Sequence, residues 1–194
     1  MSVEANMKSL KDYFDDEIKV LSKIDLGHVD LVTALLERAR QEHRRIFVFG
    51  NGGSASTASH FVCDLGKGTI KPNRERFRVI GLNDNISTLT AYANDVGYEH
   101  VFSEPLLTLA EKGDIAITFT GSGNSMNVVR GMEMANKLGL VTVGFTGFAG
   151  GKIKDNVQYH VNVPCDLMGM IEDVHLIMTH GMCEMLKLDH GNDH

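Results

Sequence analysis

The sequence predicts an α/β domain built on a parallel five-stranded sheet covered by helices on both faces, with a helical hairpin ahead of it. Three observations carry that prediction. Five short apolar runs, Ile46 to Phe49, Phe77 to Leu82, Ile115 to Phe119, Val141 to Phe145 and Tyr159 to Val163, have the length and near-continuous hydrophobicity of strands buried on both sides. Helical stretches separate them, and a repeated strand-then-helix order is the signature of a parallel sheet. Finally, 194 residues, 43% hydrophobic and 23% charged, suit one globular domain, and no repeat, low-complexity segment or Pro/Ser-rich linker divides the chain.

The elements follow in order. Met7, Leu10, Phe14, Ile18 and Leu21 recur at spacings of three and four, which places one apolar stripe on a helix over roughly residues 4 to 23. Asp25 is a candidate N-cap for a second helix, whose Val29, Val32, Leu35, Leu36 and Ala39 keep helical period up to the polar run Arg40 to His43. Residues 1–43 thus read as the hairpin and 44–188 as the α/β core. Within the core, helices are expected near Ser54 to Leu65, Ser87 to Asn94, Ser125 to Leu138 and Met168 to Leu188. The closing tail, residues 189–194, carries His190 and His194 and has the composition of a disordered end.

Composition narrows the function classes. With 19 Lys and Arg against 25 Asp and Glu, the net charge of -6 argues against a chain devoted to nucleic acid or to an anionic membrane. Three scattered cysteines, Cys63, Cys165 and Cys183, form neither a disulfide framework nor a Cys-x-x-Cys pair. The amino terminus alternates charges with apolar residues, unlike a signal peptide, and no run of about 18 apolar residues suggests a membrane span. A cytoplasmic enzyme or binding protein is the expectation.

In parallel α/β sheets, ligands bind beyond the carboxyl ends of the strands, where loops enter helices. After the first strand comes Gly50-Asn51-Gly52-Gly53-Ser54-Ala55-Ser56. Its glycines permit a sharp turn and close backbone approach, and the following helix start can receive an anion. The spacing matches neither the dinucleotide fingerprint nor a Walker A loop, and an ordinary strand-to-helix turn stays open as the alternative. The third strand runs into Thr120-Gly121-Ser122-Gly123-Asn124-Ser125 and then a helix, clustering three hydroxyls with two glycines. That composition suits a phosphate monoester held without a lysine, while N-capping is the plainer reading of the same residues.

His60 and Asp64 share one face of the first crossover helix at i,i+4, either as a functional pair or as a surface ion pair. In the last helix, Glu172 and His180 are eight residues apart and project within about 80° of each other, so both can face one cleft. Asp173 and His175 point elsewhere, toward structural or intersubunit roles. His60, Asp64, Glu172 and His180 together offer an N2O2 set suited to zinc or another divalent cation.

Together these residues resemble the sugar isomerase (SIS) domain and, within it, the phosphoheptose isomerases. The likeness runs through Gly50 to Ser54 with His60, Asn94-Asp95-x-Gly97-Tyr98, Phe102-Ser103 and Thr120-x-Ser122-Gly123-Asn124-Ser125. It continues through Thr146-Gly147, Gly150-Gly151, His175 and His180, covering nearly the whole chain. The resemblance implies a flavodoxin-like three-layer sandwich, a homotetramer with active sites at subunit interfaces, and conversion of D-sedoheptulose 7-phosphate to D-glycero-D-manno-heptose 7-phosphate for lipopolysaccharide or capsule. It further implies that Asn51, Gly52, Gly53, Asn94 and Asp95 contact the sugar. Thr120, Gly121, Ser122 and Ser125 would hold the phosphate, with zinc in some members at the positions of His60, Asp64, Glu172 and His180.

Three positions depart from the family pattern. Asp64 replaces the usual Glu and reaches roughly 1.5 Å less far. Glu172 replaces the usual Gln and adds a negative charge that makes a cation there more useful. Asn85 stands where an Asp is common, although Asp84 is adjacent.

Ketose to aldose conversion moves one proton between adjacent carbons and another between their oxygens, for which a carboxylate and an imidazole suffice. Asp64 is the candidate base and His180 the candidate acid, with Glu172 also near the substrate. Two alternatives stand beside this: a non-catalytic SIS module binding a phosphosugar or a protein, and an isomerase of another sugar phosphate. Retention of both Asp64 and His180 favours an enzyme.

Overall fold

A computed structural model of the chain describes residues 8–188, so Met7 and the 189–194 tail with His190 and His194 lie outside the described residues. The chain opens with α1 (Leu10–Leu21) and α2 (Leu26–Gln41). Ser9 caps α1 by accepting from the Asp12 N–H, and Asp25 caps α2 by accepting from the Gly27 N–H, as its sequence position predicts. β1 (Arg45–Gly50), α3 (Gly53–Cys63), β2 (Arg78–Gly81), α4 (Ile86–Asp95), α5 (Ser103–Leu109) and β3 (Ile115–Thr120) follow. The chain ends in α6 (Met126–Leu138), β4 (Val141–Thr146), β5 (Tyr159–Asn162) and α7 (Met168–Lys187).

All strands pair in parallel in the order β2-β1-β3-β4-β5, the flavodoxin-like order. Because the chain leaves β1 toward one edge and returns through β3 on the other side, the strand order reverses between β1 and β3. That reversal opens a crevice at their carboxyl ends, and the glycine loop and the Ser/Thr loop both end there.

The sheet buries both faces. Alternation along β1 sends Ile46 and Val48 to one side, where they meet Val32 and Leu36 of α2, Phe61 of α3 and Val174 of α7. Phe47 and Phe49 go to the other side, against Phe102, Leu106 of α5 and Val128, Met132 of α6. Phe119 and Phe145 stack at 4.9 Å between ring centres on the first face, and Phe49 and Phe102 at 4.8 Å on the second.

The elements differ from expectation in two ways. α5 gives no strong sequence signal because it is only seven residues long and carries Pro105. The first crossover helix ends at Cys63 and runs into a π-helical turn, Asp64–Gly68, so Asp64 begins a wider coil.

The apolar stripe of α1 faces outward. Leu10, Phe14 and Ile18 are 76%, 60% and 65% exposed, while Glu17 and Val20 are buried. Tyr13 and Leu21 pack against the core, and the Tyr13 hydroxyl donates to Asp173 of α7. On α7 itself, Ile177 and Met185 are also exposed, flanking Gly181 at i,i+4 spacing, and Leu26 at the start of α2 is exposed too.

Candidate active site

The glycine loop is held by the strand beside it. Asn83, just after β2, pairs with both backbone groups of Gly50: its Oδ1 accepts from the Gly50 N–H at 3.1 Å and its Nδ2 donates to the Gly50 carbonyl at 2.7 Å. Gly52 adopts φ +56 at the N-cap of α3, a conformation that favours glycine. Asn51 then lines a cavity of about 400 Å³ with Gly52, Ser56, Ser59, Asn83 and Tyr98. Asp84 accepts from Ser59, and Asn85, the residue departing from the family pattern, caps α4 by accepting from the Thr88 N–H at 3.1 Å.

The Ser/Thr loop is folded so that backbone N–H groups take the hydroxyl oxygens. Thr120 Oγ1 accepts from the Gly123 N–H at 3.2 Å, and Ser122 Oγ from the Asn124 N–H at 3.2 Å. Ser125 occupies the N-cap of α6 without making a side-chain cap bond. Among the described residues none of these three hydroxyls donates to a protein partner, so their protons remain for a ligand at the helix start. The loop is shaped by close backbone approach: Gly123 has φ +64, and a Cβ there would overlap the carbonyl of Gly150. Gly121 likewise lies against Met168 at the start of α7.

α3 and α7 run side by side in the same direction. At their amino ends the Glu172 carboxylate lies against Gly53. Two turns further along, His60, Asp64 and His180 converge. His60 Nε2 and His180 Nε2 are 3.2 Å apart, and Asp64 Oδ2 is 3.3 Å from the first and 3.5 Å from the second. These three are the group of described His, Cys, Asp and Glu side chains whose ligand atoms gather within 4.8 Å of one another.

Glu172, the fourth residue of the set expected from the sequence, is not among these three and lies toward the amino ends of the two helices, beside Gly53. Eight residues of α-helix advance about 12 Å along the axis, so Glu172 and His180 share a face without sharing a point. Asp64, one methylene shorter than the family's glutamate, nonetheless reaches both imidazoles.

The donor set tests well against zinc. Ligand atoms at about 2.0–2.1 Å from a tetrahedral ion stand roughly 3.3–3.4 Å apart, close to the three separations found here. Two imidazoles and a carboxylate are borderline-hard donors of the kind that binds zinc and similar divalent ions.

Other expected residues fall elsewhere. Asn94 and Asp95 lie exposed at the end of α4, where the Asn94 amide donates to Asp95 at 2.7 Å, and neither lines the cavity beside Asn51. His175 is fully buried between Phe119 and Phe145, its Nε2 3.2 Å from the Thr146 carbonyl. Burial pulls its pKa down to about 4, so it is a neutral core residue, the structural role its position on the helix suggested. Sequence reasoning passed over Asn83 and Asn127, whose polar side chains just after a strand or loop were the available signal, and took Tyr98 only as part of a motif, without its hydrogen bond to Asn51.

The family model described as the SIS domain matches residues 12–147. The chain is 34% identical over 176 residues to the probable phosphoheptose isomerase of Thermoplasma acidophilum, covering 91% of this chain and 96% of that one. This chain is a SIS-domain protein of the phosphoheptose isomerase family. Within the family it is also 37% identical over 156 residues to the phosphoheptose isomerase of Aquifex aeolicus, covering 80% and 81% of the two chains. Among solved structures, the phosphoheptose isomerase of Neisseria gonorrhoeae superposes with a TM-score of 0.84 at 28% identity, over 91% of this chain and 96% of that chain. As a phosphoheptose isomerase family member the chain is an enzyme of the isomerase class.

Proposed function

We propose that this chain interconverts D-sedoheptulose 7-phosphate and D-glycero-D-manno-heptose 7-phosphate through an enediol, in the cytoplasm, as a step toward the heptose of lipopolysaccharide or capsule. The observation that carries the reading is the convergence of Asp64 with His60 and His180, on helices that flank a glycine loop and a hydroxyl-rich loop. The names of the relatives support the substrate.

In this reading the phosphate sits at the start of α6, taking hydrogen bonds from Thr120, Ser122 and Ser125 and from backbone N–H groups of the loop that includes Gly121. Asn51, Gly52 and Gly53 meet the sugar, and Glu172, against Gly53, accepts from a sugar hydroxyl. Asn94 and Asp95, apart from the cavity in one chain, reach sugar only if a second copy brings them to it. Asp64 turns Oδ2 to the two imidazoles and keeps Oδ1 for the carbon-bound proton, while His180 transfers the oxygen proton. Where His60, Asp64 and His180 instead hold a zinc or other divalent ion, His180 Nε2 is a ligand rather than the proton carrier, and the ion's contribution would be to polarise the carbonyl.

The same reading includes a homotetramer, supported by the apolar surface that α1 and α7 leave uncovered. Leu10, Phe14, Ile18, Ile177 and Met185 are more large apolar side chains than two adjacent helices usually leave to water. α7, which carries Ile177 and Met185, also carries His180, so an interface there would border the site.

The decisive experiment incubates the protein with sedoheptulose 7-phosphate in deuterium oxide and follows aldose formation and carbon-bound deuterium, with His180→Ala as control. Aldose carrying deuterium, lost in the variant, supports the assignment. Binding without turnover would favour a non-catalytic phosphosugar module, and no binding would mean a different sugar phosphate.

A further inference from the structure

The hydrogen bonds around Asn51 form a directed chain that begins in another element. The backbone N–H of Val128, in the first turn of α6, donates to Asn127 Oδ1 at 2.9 Å. A backbone N–H can only donate, so this contact fixes which end of the buried Asn127 amide is oxygen. Asn127 Nδ2 then donates to Asn51 Oδ1 at 2.8 Å, and Asn127 Oδ1 accepts from Asn51 Nδ2 at 2.8 Å. Tyr98 adds a second donor to Asn51 Oδ1 at 3.0 Å.

A carboxamide has two acceptor lone pairs and two N–H donors. At Asn51 both lone pairs and one donor are taken. One N–H is left.

We infer that Asn127 and Tyr98 are positioning residues that fix Asn51 as a single-donor probe of the substrate, so that the sugar must present an oxygen acceptor there. The inference deepens the isomerase reading and rests on its placement of the sugar beside Asn51. Asn127 sits two residues past Ser125, so the helix start that takes the phosphate also sets the polarity of the amide that meets the sugar. Flipping Asn51 would oppose its Nδ2 to the Nδ2 of Asn127 and its Oδ1 to the Oδ1 of Asn127, and the Val128 N–H prevents Asn127 from flipping in concert. The arrangement therefore discriminates: an acceptor oxygen is met by the free N–H, whereas an N–H or C–H at that place leaves a donor without a partner.

The test is a double-mutant cycle on kcat and KM for sedoheptulose 7-phosphate, with the dissociation constant of inorganic phosphate measured in parallel. The variants are Asn51→Ala, Asn127→Ala, their combination, and Tyr98→Phe, which removes only an exposed hydroxyl and keeps the fold. Asn51→Ala and Asn127→Ala should each lower kcat/KM about tenfold, and Tyr98→Phe about threefold, with phosphate affinity within about twofold of the parent. The combined variant should be no worse than Asn51→Ala alone, because Asn127 acts only through Asn51. Losses that multiply in the combined variant would overturn the proposal, as would a parallel loss of phosphate affinity or an Asn51→Ala protein as active as the parent. A parent that turns nothing over defeats the isomerase reading instead; the same cycle is then read on sugar phosphate affinity, with the same pattern expected.

Discussion

The Nε2 atoms of His60 and His180 face each other at 3.2 Å across the seam between α3 and α7. With the Asp64 carboxylate beside both, the two imidazoles make the three-donor set that, in the proposed reading, holds one divalent cation. Titration of metal-free protein with zinc should therefore end at one ion per chain. His60→Ala and His180→Ala should each weaken binding by at least about a hundredfold. Chelation should lower the melting temperature of the parent and leave that of His60→Ala unchanged. Equal zinc uptake by parent and variants in a metal analysis would remove the site.

The outward stripe of α1 gives a test of assembly. Phe14→Glu puts a charge in the middle of Leu10, Phe14 and Ile18 without touching the core. Sedimentation should show a smaller species than the parent, with secondary structure retained. An unchanged mass would mean that this face is not the contact.

Glu17 gives the pH dependence of the α1–α7 contact. Burial first, and the neighbouring Asp173 charge second, push its carboxyl from 4.5 up to about 7. The folded chain thus holds this proton more tightly than the unfolded one. Its contribution to stability is complete below pH 4.5 and is lost as the pH rises through 7. Glu17→Gln should stabilise the protein by about 1–3 kcal/mol at pH 8 and by almost nothing at pH 4. Denaturant unfolding at the two pH values reads this directly; equal effects at both would show that the carboxyl is not the titrating group.

Gly123→Ala should be among the most damaging single methyl additions. The residue combines φ +64 with a backbone carbonyl, that of Gly150, where the new Cβ would go. A loss of at least about 2 kcal/mol is expected, together with weakened binding of inorganic phosphate. Calorimetry and phosphate titration measure the two. A variant with parental melting temperature would mean that the loop can relax.

The sheet was legible because its strands are short apolar runs such as Ile46 to Phe49, too short for helices and set between helical stretches. Their parallel order followed from the helices between them. Both loops at the carboxyl ends of the strands were legible as strand-to-helix loops for a chemical reason, since Gly and Ser/Thr cluster where the backbone turns and helix amino ends need caps. The convergence of His60 and Asp64 with His180 was legible only in part: helical period shows which residues share a face of one helix but not how two helices are set against each other. Helical period also identifies the stripe of Leu10, Phe14 and Ile18 while leaving open what it faces, because an outward apolar face has the same period as one turned to the core. Asn127 stayed hidden because its role lies in a partner 76 positions away, a separation no local window spans.

The all-parallel sheet also sets a schedule for synthesis. No two neighbouring strands can close as a hairpin, and β1 must wait for β3, paired with it from Ile46 and Ile115 onward, before its inner edge is filled. A chain made amino end first displays its glycine loop well before the hydroxyl-rich loop exists, and His180 emerges after both. A nascent polypeptide that has not yet reached α7 therefore holds His60 and Asp64 without the imidazole that faces them.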